Sequence, residues 1–157
     1  MGKIRWPTHP YVKVKGEWCY YDRAVDKANH TIDFYLSKQR DLFSAKRFLT
    51  QAIASQGIPK TITIDKSGAN LAALKSVNRR LEKDQRIQIR QNKYLNNRVE
   101  QDHRAIKRMT QPMMGFKSFS SAAATLAGIE LCHKLRKGQA AENTHLSLAQ
   151  QFCKLAA

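Results

Sequence analysis

The strongest constraint on what this chain can fold into is a single change of hydrophobic period. From Tyr11 to Ser37 the residues alternate in the two-residue rhythm of a strand. "YVKVKGEWCYYDRAVD" reads as a hairpin with its turn near Lys15 and Gly16, and "HTIDFYLS" reads as a third strand after a turn at Lys27-Ala28-Asn29. From Asp41 the rhythm becomes helical: Leu42, Ala45, Phe48, Leu49, Ala52 and Ile53 fall on one helix face. Asp41 has the chemistry of an N-cap, and "QGIP" at 56–59 ends the helix.

The remaining elements are shorter. "KTITI" is a strand leading into Asp65, and Leu71, Leu74, Val77 and Leu81 mark a second helix. "RIQIR" at 86–90 is another strand. A long helix is expected from about Leu95 to Met109, stopped ahead of Pro112. A last main helix runs from about Ser118 to Arg136 and is closed by Gly138. Three strands followed by helix, strand, helix, strand, helix and helix predict an α/β fold, a mixed sheet flanked by helices. The sheet is expected to combine a three-strand antiparallel meander with two further strands, the order of ribonuclease-H-like domains. At 157 residues the chain fits one domain, assigned to 1–139, with a C-terminal tail at 140–157. The tail is Ala-rich and weakly amphipathic, and no task is assigned to it.

Charge narrows the function. Lys and Arg total 28 against 12 acids, for a net charge of +16. A field of that size draws polyanions, and nucleic acid is the partner it suits. Between Lys75 and Arg108 basic residues far outnumber Glu82, Asp84, Glu100 and Asp102. No apolar run approaches the roughly 20 residues that span a bilayer, and "MGKIRWPTHP" has no signal-peptide core. No membrane partner is therefore expected, and a cytoplasmic location is. Cys19, Cys132 and Cys153 lack metal-ligand spacing and are expected to be small buried thiols.

Within this basic chain the acids invite attention. Asp65 ends a strand, where functional groups of α/β sheets gather, although Asp before a helix is also a common cap. Asn96, Glu100, His103 and Lys107 are spaced four, three and four apart and form a polar stripe on the long helix. Such a stripe either faces solvent or is aimed at the strand ends. Leu95, Val99 and Ile106 beside it would face the core. Two carboxylates brought together need a cation between them. Mg²⁺ accepts hard oxygen ligands and phosphate oxygens, and paired ions of this kind displace phosphodiester oxygens. Glu100 and His103 do not make a di-iron pair, because no second copy of that spacing exists. "GFKSF" is expected to dock the last helix on the core. Trp6, Trp18, Tyr20 and Tyr21 could stack on bases, but core or sheet packing is the expected use.

Several of these segments share a pattern. "YVKVKGEWCYYDRAVDKANHTIDFYLSKQRD", "AKRFL", "ITIDK", "KYLNNRVEQDHRAIKR", "GFKSFSSA" and "IE...LRKGQ" resemble bacterial insertion-sequence transposases of the DDE superfamily, of the group named after insertion sequence six. The resemblance runs from about residue 4 to 139. It implies that Asp65 and Glu100 are the second and third catalytic and metal-binding acids, with 100 − 65 − 1 = 34 residues between them. It implies that Lys107 contacts transposon-end DNA. Lys93, Arg98, Arg104 and Arg108 in the same basic segment are further candidate DNA contacts. The implied cofactor is Mg²⁺ or Mn²⁺. The implied partners are insertion-sequence ends and target DNA, with a homo-oligomer or a mixed complex with an intact transposase.

Two departures qualify the activity. The family's first catalytic Asp falls in a segment resembling Asp-Glu-Thr-Tyr. Here the segment is "THPY", with Thr8, His9 and Pro10 at the first three positions. Thr8 offers a neutral hydroxyl where a bridging carboxylate is wanted, and a His nitrogen suits Mg²⁺ poorly. Asp22, Asp26 and Asp33 are the acids that could substitute, and with one of them the chain would be an active nuclease of another kind. Only seven residues precede Thr8, so the family's N-terminal helix-turn-helix region is expected to be absent, as in a truncated or frameshifted copy. The expected function is that of a transposase catalytic domain by descent, inactive in DNA cleavage and strand transfer. The alternative is a non-enzymatic DNA-binding remnant that interferes with an intact transposase.

Overall fold

The computed structural model describes residues 2–6, 11–93, 96–139 and 146–156, with the side chains of 96–102 and 156 outside that description. The strands are β1 (Lys3–Trp6), β2 (Tyr11–Val14), β3 (Glu17–Asp26), β4 (Thr31–Ser37), β5 (Thr61–Ile64) and β6 (Gln88–Gln91). The helices are α1 (Leu42–Gln56), α2 (Gly68–Asn78), α3 (Asn96–Thr110), α4 (Phe119–Arg136) and α5 (Leu148–Ala156). The strands form one mixed sheet.

β3 organises the sheet. β4 pairs antiparallel along one edge of it, from Tyr20↔Ser37 to Val25↔Thr31. Its other edge carries two strands in line: β2 with Tyr11↔Tyr20, and β1 with Arg5↔Val25. β1 then pairs parallel with β5, and β5 parallel with β6. The expected meander is therefore present, but a strand at Lys3–Trp6 precedes it. Its alternation spans only four residues, too few to stand out from the adjoining proline-rich segment.

Each sheet face has its own core. One gathers Ile4, Trp6, Ala24, Ile32, Ile62 and Ile64 under Phe48 and Leu49 of α1 and Leu74 of α2. The other gathers Val12, Val14, Cys19, Tyr21 and Leu36 under Ile106 of α3 and Leu126 and Ile129 of α4. Ile32 and Leu36 have the same parity yet face different cores, because the β3–β4 register shifts at Ala24 and Val25. An extra residue in one strand inverts every side chain beyond it. Phe116 and Phe119 pack on the second core, and Phe116 bonds to the β2 edge through Phe116 N–H to Lys13 O (2.8 Å) and Lys15 N–H to Phe116 O (2.7 Å). "GFKSF" thus docks the last main helix.

Helix boundaries follow local chemistry. The Asp41 carboxylate accepts from the Ser44 N–H at 2.8 Å, and this bond holds its carboxyl below the usual range. That stabilisation is present above the ordinary carboxylate pKa and is lost as pH falls through the lowered one. Gly57 ends α1 at φ 81°, a left-handed value that costs other residues. α2 stops at Asn78, short of Leu81, because the Asn78 side chain turns to Ile87, accepting from its N–H (2.9 Å) and donating to its carbonyl (2.8 Å). The clamp also delays the next strand, so β6 begins at Gln88 rather than Arg86.

The motif at the end of α4 has a structural task. Gln139 accepts from Thr31 N–H at 3.1 Å and donates to Thr31 O at 3.0 Å, and Lys137 Nζ donates to Asn29 O. The β3–β4 turn is tied to the helix by these bonds. The segment beyond contains α5, which packs against α4.

The cysteines divide. Cys19 is buried, Cys132 is half-buried and Cys153 is exposed, so the expectation of three buried thiols fails at Cys153, on the outward side of α5. Burial pushes the Cys19 thiol up, against a smaller opposing effect of Lys38. Only the thiolate reacts. With a maleimide in the native state, Cys153 is expected to label first and Cys19 only after unfolding, as read by mass spectrometry of peptides. Early labelling of Cys19 would contradict its place in the core.

Candidate active site

β5 runs parallel to β1 with Trp6 opposite Ile64, and Asp65 follows at the carboxyl end of β5. Asp65 is 9% exposed. Its Oδ1 accepts from Ser67 N–H at 3.1 Å, and its Oδ2 lies 3.6 Å from Arg40 Nη2. The N-cap of α2 is Ser67, so Asp65 shapes the turn into that helix without being its cap residue. The acid lies in a shallow recess with Arg40, Lys66 and Ser67.

α3 begins at the same end of the sheet. Asn92 N–H donates to Ile64 O at 2.9 Å, beside Asp65, and the helix starts four residues later at Asn96. Four residues reach at most about 14 Å. Glu100 then stands in the second turn of α3, at 1.5 Å rise per residue. Its side chain lies outside the described residues, as does that of Arg98.

Further along α3, His103 is 8% exposed and Ile106 is 1% exposed. The middle of the polar stripe is therefore covered, and the stripe is not simply a solvated face. Ile106 faces the core as expected; Leu95 and the Val99 side chain lie outside the described residues. Arg104, Lys107 and Arg108 are exposed. Spaced three and four apart, they share one outward face. Lys93 is also exposed, just past β6. The basic candidates thus lie on α3 and at its approach.

The alternative acids have partners of their own. Asp22 is 4% exposed and accepts from Trp6 Nε1–H at 3.2 Å. Asp26 accepts from His30 N–H at 2.8 Å in the β3–β4 turn. Asp33 on β4 accepts from the Gln51 amide at 3.2 Å. Among the described residues no three His, Cys, Asp or Glu side chains come together to hold a metal ion. Thr8, His9 and Pro10 lie outside the described residues. Among the described residues the nearest charged partner of Asp65 is the Arg40 guanidinium, which a divalent cation at Asp65 would have to displace.

The aromatic candidates separate. Trp6 and Tyr21 are core residues at 1% and 0% exposure. Trp18 is 62% exposed and packs on the sheet surface against Tyr11, ring centroids 6.4 Å apart, rather than in the core. It faces outward because its β3 neighbour Cys19 takes the inward position, and strand side chains alternate.

One buried cluster was not foreseen. Glu130, fully buried on α4, sits 2.8 Å from Arg23 Nε and accepts from Tyr21 Oη–H at 2.6 Å. Thr31 Oγ1 accepts from Arg23 Nη2 and donates to Glu130 Oε2 at 3.4 Å. Burial, reinforced by the Glu130 charge, pushes the Tyr21 hydroxyl far up and keeps it a donor. The sequence signals were a lone acid in a basic helix and its place in the segment "IE...LRKGQ".

The sheet order and flanking helices are those of the ribonuclease-H-like fold. The catalytic core of the HTLV-2 integrase, solved in complex with magnesium in a trimeric form, superposes with a TM-score of 0.55 at 18% identity, over 68% of this chain and 67% of that one. A family model described as a DDE domain, of the IS240 transposase type, matches residues 8–139. The chain belongs to this DDE transposase family, of the insertion sequence six group. The Staphylococcus aureus transposase for insertion sequence-like element IS431mec is 39% identical over 130 residues, covering 81% of this chain and 55% of the relative. The transposase for insertion sequence element IS257 in transposon Tn4003, also from S. aureus, matches to the same extent. The chain thus spans about half the length of these curated relatives. The family is divalent-metal dependent. Among the described residues no helix is long and apolar enough to cross a membrane.

Proposed function

We propose that this chain is a transposase catalytic domain that binds DNA across the carboxyl end of its sheet without cutting or joining it unaided. The observation that carries the binding is the outward face of Arg104, Lys107 and Arg108. It lies on the helix that bears Glu100 and begins beside Asp65. The family pattern makes Asp65 and Glu100 its second and third acids, with Lys93 and Arg98 completing the basic approach. Phosphates would sit on the cations while the acids face the scissile bond. Bound divalent ions supply the activated oxygen in this class of reaction. Thr8 leaves the acid set one carboxylate short, and the Arg40 guanidinium takes part of Asp65. The DNA is an insertion-sequence end or its target in a bacterial cytoplasm, at the nucleoid. Pairing with a second copy, or with an intact transposase, is part of this reading.

The test is twofold. With Mg²⁺ or Mn²⁺ the purified chain is expected neither to nick DNA nor to join strands. Metal-dependent strand transfer abolished by Asp65→Ala would refute this. Duplex affinity is expected to fall steeply with salt. If Arg104, Lys107 and Arg108 each meet a phosphate, their triple alanine variant flattens the log–log slope by about 2.7, from roughly 0.9 per contact. An unchanged slope would remove α3 from the interface.

A further inference from the structure

The β2–β3 hairpin presents a surface that the acids and the α3 cations do not explain. On its outward face Tyr11 and Lys13 of β2 stand opposite Tyr20 and Trp18 of β3. Trp18 is 62% exposed and Tyr11 is 49% exposed. The Tyr11 ring meets Trp18 edge-on at 6.4 Å and Tyr20 at 5.4 Å. Lys13 Nζ lies 5.6 Å from the Trp18 ring centroid. Tyr11 and Trp18 line one side of a groove of about 480 Å³, and Lys107, Thr110 and Phe116 line the other. Isolated exposed aromatics need no explanation, but a cluster of this kind marks an interaction surface.

Two features identify the occupant. Both sides of the groove carry a lysine, Lys13 and Lys107, and the chain as a whole carries +16. The partner is therefore anionic as well as flat and apolar, a combination met by a nucleobase on its phosphodiester backbone. The location agrees. β1 runs parallel to β5 toward Asp65, and β2, in line with β1 along β3, continues past that end. The hairpin therefore projects beyond the end of the sheet where Asp65 sits. A strand lying there and held by Lys107 reaches the groove without crossing the protein.

We propose that Trp18 and Tyr11 form a stacking subsite for an unpaired base of DNA, with Lys13 and Lys107 on its flanking phosphates. The proposal rests on the DNA-binding reading above and adds a preference for single-stranded or frayed DNA. Stacking on aromatic rings is worth about 1–3 kcal/mol per base. Loss of the platform should thus weaken single-strand binding by about 5-fold to about 150-fold.

The test uses the full chain and a short single-stranded oligonucleotide, beside a blunt duplex of the same sequence and an abasic single strand. The chain has 2 tryptophans. Trp6 is buried, so a fluorescence change on binding reports Trp18. Trp18 emission is expected to be quenched by the single strand and little changed by the abasic strand. Trp18→Ala should lose single-strand affinity by the factor above while duplex affinity stays within twofold. Trp18→Phe, which keeps a ring, should recover much of the loss. Duplex binding without Trp18 quenching, and with equal single-strand affinity in Trp18→Ala, would overturn the subsite and leave the DNA-binding reading standing. A sedimentation shift in Trp18→Ala without loss of single-strand affinity would also overturn it, assigning the patch to a second copy. Failure to bind any DNA at low salt would refute the parent reading and the subsite with it.

Discussion

Glu130→Ala is expected to cost about 3–5 kcal/mol of stability, the usual penalty for stranding one partner of a buried ion pair. Arg23 is 1% exposed and Glu130 fully buried. The guanidinium would keep its charge with no carboxylate to neutralise it, and the Tyr21 hydroxyl would lose its acceptor. For a domain of this size the melting temperature should drop by roughly 6–20 °C, measured by circular dichroism with a urea titration alongside. Glu130→Gln keeps the shape and a hydrogen-bond acceptor but not the charge, so it should fall between wild type and alanine. Replacing the polar group together, with Arg23→Met, Glu130→Leu and Tyr21→Phe, should recover most of the loss, because apolar side chains of like volume can replace a buried ion pair with little penalty. A melting temperature for Glu130→Ala within about 2 °C of wild type would mean that water reaches the cluster. These bonds tie α4 to β3 across 109 residues of sequence. Their loss should therefore loosen the second core before the first, visible as faster amide exchange in β3 and α4.

The second large effect concerns metal. Thr8→Asp combined with His9→Glu is expected to raise the divalent-ion affinity of the chain well above that of the native sequence. On the family pattern proposed above, Thr8 stands where the first acid is expected, two residues in sequence after Trp6, whose strand partner Ile64 immediately precedes Asp65. A third carboxylate there adds a hard, anionic ligand of the kind Mg²⁺ needs. It also supplies the charge that lets the cation compete with Arg40 for Asp65. Calorimetry with Mn²⁺ should register binding in the double variant at least tenfold tighter than in the native chain, and an added Asp65→Ala should erase it. A thermal-shift measurement with Mg²⁺ gives a readout independent of catalysis, since a ligand that binds only the folded state raises the melting temperature. Equal Mn²⁺ binding in the native chain and the double variant would show that Thr8 is not the deficit.

Much of the architecture was legible because it is local. Alternation between Tyr11 and Ser37, the capping carboxylate of Asp41 and the glycine at 57 each act within a few residues, and the strands and helices they imply are present. β1 was missed because four residues of alternation beside a proline-rich segment carry little signal. The start of β6 was misjudged because a long-range side-chain clamp from Asn78 sets it. Of the candidate site, the strand-end position of Asp65 was readable, and its Arg40 partner was not. That Arg104, Lys107 and Arg108 share a face follows from their spacing, whereas their exposure and the burial of His103 beside them do not. That Trp18 packs on the open face of the sheet rather than in the core was not readable, because alternation says that neighbours point to opposite faces without saying which face is covered.

The sequence by itself determined the order of elements from β2 to α4, the basic character of the chain and the 34-residue interval between Asp65 and Glu100. All three depend on near neighbours or on composition. Only the tertiary structure decided which strand face meets which helix, that Glu130 neutralises Arg23, and that the aromatic hairpin stays open to solvent. Those outcomes depend on groups far apart in the chain meeting at one point, where desolvation makes a buried charge tolerable only beside its counter-charge.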